Sequence, residues 1–266
     1  MSKIERREKK LLELLQTYRR LEISQVAEWL EISETTARRM CSKLEETQKV
    51  IRVHGGVQLS KQYQNDYSYH NKELHYLHEK VAIGNYCASL IKSGERIFCD
   101  SGTTIRQFVL SLVNRIKAEE VGDIVILSNS LANFDPIANY CKVILLGGEV
   151  RLSRLDVCGS VAEEVLKKFH ITKAFLGADT ISLKKGFMTT DERTAQMNEI
   201  VIADADTSYV LVDSSKFDKS SFMSYAEPEM ITEVVTDWNL DSAIQTKFEQ
   251  LGYTIQAVGE PDNRFE

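Results

Sequence analysis

Residues 24–59 read SQVAEWLEISETTARRMCSKLEETQKVIRVHGGVQL. Ser24 precedes the short run Gln25 to Leu30 and is a cap residue for a brief helix. Glu31-Ile32 makes a tight turn. Ser33 is placed to cap a second helix running to about Thr47, with Ala37, Met40, Cys41 and Leu44 on its inward face. Two short helices joined by such a turn are the skeleton of a helix-turn-helix, whose second helix enters the major groove of DNA with its first residues nearest the bases. Apolar and polar residues then alternate from Ile51 to Leu59 about Gly55-Gly56, which predicts a hairpin. A hairpin in that place is a wing, with Arg52 and His54 carried at its tip towards phosphates or a minor groove.

Upstream, Ile4, Leu11, Leu12, Leu14 and Leu15 fall at helical spacing among Lys, Arg and Glu, which predicts an amphipathic helix. Residues 1–59 therefore read as a winged helix-turn-helix domain. Its candidate DNA contacts are Ser33, Thr35, Thr36, Arg38, Arg39, Lys43, Arg52 and His54. Hydroxyls at a helix start donate to phosphate oxygens. The arginines and the lysine neutralise phosphates, and an arginine also reads guanine bidentately.

The chain has 266 residues and a net charge of −6, which taken whole speaks against a nucleic-acid partner. The charge is unevenly placed. Residues 1–60 carry 12 Lys+Arg against 9 Asp+Glu, and the remainder carries 21 against 30, so the two parts stand at +3 and −9. Apolar runs such as Ile124 to Leu127 are far too short to span a bilayer. The charged start MSKIERREKK lacks the apolar core of a secretory signal. Five cysteines without paired spacing predict reduced thiols, and with the missing signal they predict a cytoplasmic protein.

Residues 60–79, polar and tyrosine-rich, read as a linker that enters a helix near Glu79. His70, His75 and His78 lie in it, but with no cysteine nearby they read as solvated or packing side chains, and no metal is expected. From residue 80 to 266 the pattern changes. Apolar strand-like runs (96–99, 124–127, 143–146, 174–176, 209–212, 234–235 and 253–255) alternate with helical stretches near 80–92, 104–117, 160–168, 194–205 and 241–251. That alternation predicts an α/β domain with a Rossmann-like, doubly wound parallel sheet, whose ligands sit beyond the carboxyl ends of the strands.

The loops at those ends carry the candidate binding residues. Asp100-Ser101-Gly102-Thr103-Thr104 follows the first strand and opens a helix, where free N–H groups and hydroxyls make an anion site. It lacks the GK[ST] ending of a Walker A loop. Ser128-Asn129-Ser130 follows the second strand, Gly147-Gly148 the third, and Gly177-Ala178-Asp179 the fourth. Asp213-Ser214-Ser215-Lys216 follows the fifth, with Lys216 as a cation for a phosphate. Asp100, Asn129 and Asp179 are placed to hydrogen-bond a bound ligand. Cys99 lies beside the first loop, but no histidine neighbours it in sequence, and it reads as a buried strand residue.

The strings SQVAEWLEISETTARRMCSKLEE and IRVHGGV, followed collinearly by CDSGTT, LSNSL, LLGGEVR, CGSVA, AFLGADTIS and VDSSKF, resemble the DeoR family of bacterial transcription regulators over nearly the whole chain. The resemblance implies an effector domain that shares its fold with ribose-phosphate isomerases and senses a phosphorylated sugar. Where the family's recognition helix usually reads close to Thr-Ile-Arg-Arg-Asp-Leu, this chain has Thr36-Ala37-Arg38-Arg39-Met40-Cys41, keeping both arginines and losing the acid. Where the family tends towards Glu-Ala-x-Val-Lys, this chain has Thr194 to Asn198, so two charged positions are neutral.

The combined expectation is a repressor of a carbohydrate-use operon that binds double-stranded operator DNA as a dimer or tetramer and is modulated by a sugar phosphate, with no cofactor. The alternative is an isomerase-like enzyme with an appended DNA-binding module. Against it, Leu176 stands where such enzymes usually carry another acid, and Asn198 falls near their catalytic carboxylate and cannot act as a base.

Overall fold

The computed structural model describes residues 3–18, 20–47, 49–60 and 69–260. They fall into two compact units, Met1–Asn71 and Lys72–Glu266.

The first unit runs α1 (Lys3–Tyr18), β1 (Arg20–Glu22), α2 (Ile23–Trp29), α3 (Glu34–Glu46), β2 (Val50–Val53) and β3 (Gly56–Leu59). The three strands form an antiparallel sheet in the order β1-β3-β2. Leu11, Leu15, Leu21, Val26, Ala37, Cys41, Leu44, Val50 and Val57 close a core between helices and sheet. Ser33 caps α3 as its position predicts, its Oγ accepting from Thr36 N at 3.3 Å. Ser24 does not cap α2. Glu22 does, in a reciprocal box with Gln25, whose Oε1 accepts from Glu22 N at 2.9 Å. The box satisfies two orphan donors where a lone serine satisfies one, so the helix starts earlier.

The second unit begins with α4 (Tyr69–Glu73), whose first residues close the first unit, and α5 (Leu77–Ser89). Helix therefore occupies much of the stretch read as linker, and residues 61–68 of that stretch lie outside the described residues. A seven-stranded sheet follows, built from β4 (Arg96–Cys99), β5 (Val125–Ser128), β6 (Lys142–Leu145), β9 (Ile171–Leu176), β12 (Ala205–Leu211), β14 (Glu233–Thr236) and β15 (Ile255–Ala257). The order is β15-β14-β12-β9-β4-β5-β6, with every pairing parallel. This is a doubly wound sheet whose chain direction reverses between β4 and β9, the switch point where such sheets open a crevice.

Alternate strand residues serve opposite faces. Ile97, Cys99, Ile126, Phe175, Leu211 and Val235 pack against α5 and α6 (Thr103–Lys117). Phe98, Leu127, Leu176, Val210 and Val234 pack with Leu166, Val201 and Phe248 from α8 (Ser160–Leu166), α9 (Glu192–Asp204) and α10 (Ser242–Glu249). The helices α5 and α6 approach closely because residue 84 is glycine. A Cβ there would lie 2.6 Å from the backbone of Gln107 and Phe108.

Elements not evident from periodicity are a short helix α7 (Leu131–Ile137), a hairpin of β7 (Glu149–Arg151) and β8 (Asp156–Cys158), and a small antiparallel sheet of β10 (Thr180–Ser182), β11 (Gly186–Thr189) and β13 (Met223–Ala226). No helix among the described residues is long and apolar enough to cross a membrane.

Candidate functional site

On the first unit, Ser33, Thr35, Arg38, Arg39, Lys43, Arg52 and His54 are all exposed, on the cap and helix of α3 and on the wing. Thr36 is half-buried, its hydroxyl held to Ser33 Oγ at 2.9 Å. The cations differ in their freedom. Arg38 pairs with Glu34 at 3.1 Å and Lys43 with Glu8 at 2.8 Å. Arg52 lies within β2 instead of at the wing tip, its Nη1 donating to Ser42 Oγ at 2.9 Å and its backbone N to Glu45 Oε1 at 3.0 Å. It fastens the wing to α3. Arg39 has no ion-pair partner among the described residues. Arg20, a residue that the sequence reading passed over, donates to His54 O at 3.1 Å and steadies the wing turn.

On the second unit, the parallel sheet sets the loops side by side along one edge. In strand order these are the turn after β12, Gly177 to Asp179, the Asp100 loop, Ser128 to Ser130, and Gly147-Gly148. At the switch point the loops join directly. Buried Asp100 accepts from Ser101 N at 2.6 Å through Oδ1 and from Gly177 N at 3.2 Å through Oδ2. Burial pushes its carboxyl above the usual range against those two donors, and nearby Asp156 adds to the rise. Gly102 caps α6 with no side-chain bond, and the first N–H satisfied within the helix is Arg106 N on Gly102 O at 3.0 Å. The N–H groups of Thr103 and Thr104 thus have no acceptor among the described residues and stand at a dipole's positive end.

The second loop is mostly self-bonded. Ser128 Oγ donates to Cys99 O at 2.7 Å and accepts from Ser130 N at 3.0 Å, while Ser130 Oγ caps α7 at Asn133 N. These serines shape the crevice more than they face it. Asn133, passed over in the sequence, donates Nδ2 to Asp100 O at 3.0 Å. Asn129 Oδ1 and Asn133 Oδ1 are buried without a donor among the described residues.

Gly148 is at φ +152°, and a Cβ on it would meet Cys158 O at 2.5 Å. Gly148→Ala is expected to destabilise the protein by about 2–4 kcal/mol through that clash and the unfavourable φ. A denaturant titration measures it. Gly147 has open space around its Cα.

Asp179 is saturated. It accepts from Lys72 Nζ at 2.9 Å, Thr189 Oγ1 at 3.2 Å, and Thr190 N and Oγ1 at 2.9 Å each. Burial alone would raise its carboxyl, but the Lys72 ammonium and the threonine donors outweigh burial and hold it well below the usual range. Lys216 sits half-buried in the short turn Ser214–Lys216, which Asp213 caps.

Lys80 is the residue that periodicity missed. It is 4% exposed, its Nζ donates to Lys72 O at 2.6 Å, and no carboxylate among the described residues lies within ion-pair distance. Burial lowers its ammonium to about 8, the Lys216 and Lys72 charges add to the fall, and Asp213 opposes it. The signal was present in the sequence. Ile83, Gly84 and Cys87 follow Lys80 at helical spacing, so the lysine lies on the core-facing stripe. Cys99 is fully buried, and desolvation raises its thiol well above the ordinary range, the opposite of a nucleophile's environment. All five cysteines are free of disulfides.

A family model described as the DeoR C terminal sensor domain matches residues 76–238, and one described as the DeoR-like helix-turn-helix domain matches residues 7–63. The chain is 31% identical to the HTH-type transcriptional repressor GlcR of Bacillus subtilis (strain 168), over 85% of this chain and 86% of that one. It is 30% identical to a lactose phosphotransferase system repressor of Lactococcus lactis subsp. lactis, over 95% and 98% of the two chains. Among solved structures, ribose 5-phosphate isomerase A from Methanocaldococcus jannaschii aligns with 52% of this chain and 53% of its own at 22% identity, with a TM-score of 0.39. With both of its units matched in order, the chain belongs to the DeoR family of helix-turn-helix transcriptional regulators.

Proposed function

We propose that this protein is a cytoplasmic repressor of a carbohydrate-use operon and that a phosphorylated sugar bound to the second unit modulates its grip on DNA. The observation that carries the reading is Lys80. A buried ammonium with no carboxylate at ion-pair distance among the described residues, and repelled by Lys216, costs stability unless an anion completes it. The open start of α6, at Thr103 and Thr104, offers N–H and hydroxyl donors to the same anion. Asp100, Asn129 and the backbone at Gly147-Gly148 are then left to meet sugar hydroxyls. The names of the relatives, a lactose phosphotransferase system repressor among them, agree with a carbohydrate signal.

On the DNA side, Arg38 and Arg39 read the major groove while the hydroxyls of Ser33 and Thr35 position α3 on phosphates. Lys43 and His54 approach the backbone at its margins. A homo-oligomer, dimer or tetramer, presents several such helices to repeated half-sites and multiplies a modest single-unit affinity. Asp179 serves to hold the loop. Its strongly lowered carboxyl is a poor base, which weighs against an isomerase.

A thermal-shift panel of ribose 5-phosphate, fructose 1-phosphate, fructose 6-phosphate and glucose 6-phosphate, with the free sugars and inorganic phosphate as controls, tests the reading. One sugar phosphate should stabilise the protein by about 2–4 kcal/mol at 100–1,000 times its Kd. Thr103→Ala and Lys216→Ala should each reduce that gain. Equal response to the free sugar, or stabilisation that survives both substitutions, would place the effector elsewhere.

A further inference from the structure

The β7–β8 hairpin touches two loops of the effector site and the start of α9, and holds none of the roles assigned so far. Its return is tied to the second loop, with Val157 N donating to Asn129 O and Leu131 N to Leu155 O, each at 2.8 Å. Its Asp156, 1% exposed, accepts from Ser101 Oγ at 3.2 Å in the first loop. Arg151, the cross-strand partner of Asp156, clasps both oxygens of that carboxylate at 2.8 and 2.7 Å. The same guanidinium reaches Asp191 at 2.5 Å and Thr194 Oγ1 at 3.2 Å, at the start of α9. One arginine thus bridges two carboxylates, one of them bonded to the loop that opens α6.

We propose that Arg151 is a positioning residue of the effector site, acting through Asp156 and Ser101 to fix the Asp100–Thr104 loop without itself touching the effector. The proposal rests on the effector reading given above. A buried carboxylate keeps its charge only while paired. Two parallel N–H···O bonds need the planar fork of arginine, which lysine cannot supply. With Ser101 Oγ between Asp156 Oδ2 at 3.2 Å and Asp100 Oδ1 at 3.4 Å, and Ser101 N donating to Asp100 Oδ1, the peptide before Gly102 is held from two sides. The open N–H groups of Thr103 and Thr104 then stand ready, and less ordering is left to occur on binding.

Arg151→Lys, Ser101→Ala and their double variant test this, with Kd measured by calorimetry for the panel member that stabilises the wild type most. Each single change should weaken binding roughly tenfold to a hundredfold, as the loss of a hydrogen bond to a charged group does. The double variant should bind no more than about twofold worse than the weaker single, because both break one chain of contacts. A purely structural arginine would lower the Tm of the free protein with Kd unchanged, or its loss would multiply with that of Ser101→Ala. Either result overturns the proposal. Arg151→Met with Asp156→Asn removes the buried pair, and the carboxylate that loses its cation, Asp191, is only half-buried and keeps Thr194 N and Oγ1 as donors. It should keep a near-wild-type Tm yet bind as weakly as Ser101→Ala, and wild-type affinity in it would also overturn the proposal. If no panel member binds the wild type, the effector reading fails and takes this proposal with it. Intact wild-type binding with an indifferent Arg151 defeats this proposal alone.

Discussion

Lys80→Met is expected to raise the Tm of the effector-free protein by several degrees and to abolish its stabilisation by sugar phosphate. The two effects have one source. Lys80 is nearly inaccessible, and its ammonium titrates at about 8 instead of 10.5. At 1.36 kcal/mol per pKa unit, holding that charge in the folded state costs on the order of 3 kcal/mol at neutral pH. Methionine fills a similar volume without the charge, and the lost bond to Lys72 O takes back about 1 kcal/mol. The net gain of about 2 kcal/mol corresponds to roughly 4–8 °C for a domain of this size. The gain comes at a site that function keeps unfavourable. A variant that melts lower than the wild type, or one still stabilised by the sugar phosphate, would show that Lys80 is a packing residue.

The pH dependence follows with a definite sign. Folding depresses the Lys80 pKa, so between about 8 and 10.5 the unfolded chain binds more protons, and stability rises with pH through that window. Below about 8 the lysine is charged in both states and its contribution is constant at its least favourable. Effector affinity runs the other way. It requires the charged lysine and should fall as pH rises through about 8. A phosphate monoester loses its second proton near pH 6, so affinity of the wild type should peak between about 6 and 8.

The strands and the site loops were legible because a parallel strand buried on both faces reads as a continuous apolar run. Ile97-Phe98-Cys99 ends in Asp-Ser-Gly, and Ala174-Phe175-Leu176 ends in Gly-Ala-Asp. Helix α7 was not legible, since Pro136 stands inside seven residues and Ser130 resembles any turn serine. The β7–β8 hairpin escaped because its strands are three residues long and charged, and its sole cue is Arg151 set across from Asp156. Sequence gives a residue's side of a helix but not what faces it. For that reason Asp179, read as an acceptor for a ligand, emerges with four donors already on it, and Lys80, given no role by the sequence, emerges buried.

Arg38→Ala with Arg39→Ala should weaken operator binding about 100-fold or more while the Tm of the second unit and its response to sugar phosphate stay unchanged. Both arginines are exposed on α3, and neither packs in the core formed by Ala37, Met40, Cys41 and Leu44. The helix therefore survives their loss, alanine being its best former. An arginine bidentate to guanine contributes about 1–3 kcal/mol of discrimination, and one on a phosphate about 0.9 to the salt slope. The two roles separate on titration against an operator selected from random duplexes and against a mixed-sequence duplex. Loss of base reading narrows the gap between the two DNAs at constant salt slope, and loss of phosphate contacts lowers both affinities and flattens the slope by about two. Glu34→Gln should act in the opposite sense and tighten binding a few-fold, because it releases Arg38 from its 3.1 Å partner and removes a negative charge from the reading surface. The arginines then contribute in unequal ways. Arg39 is ready to bind, whereas Arg38 must first leave Glu34, so Arg39→Ala alone should account for most of the loss. Operator affinity within threefold of wild type in the double variant would remove α3 from the groove.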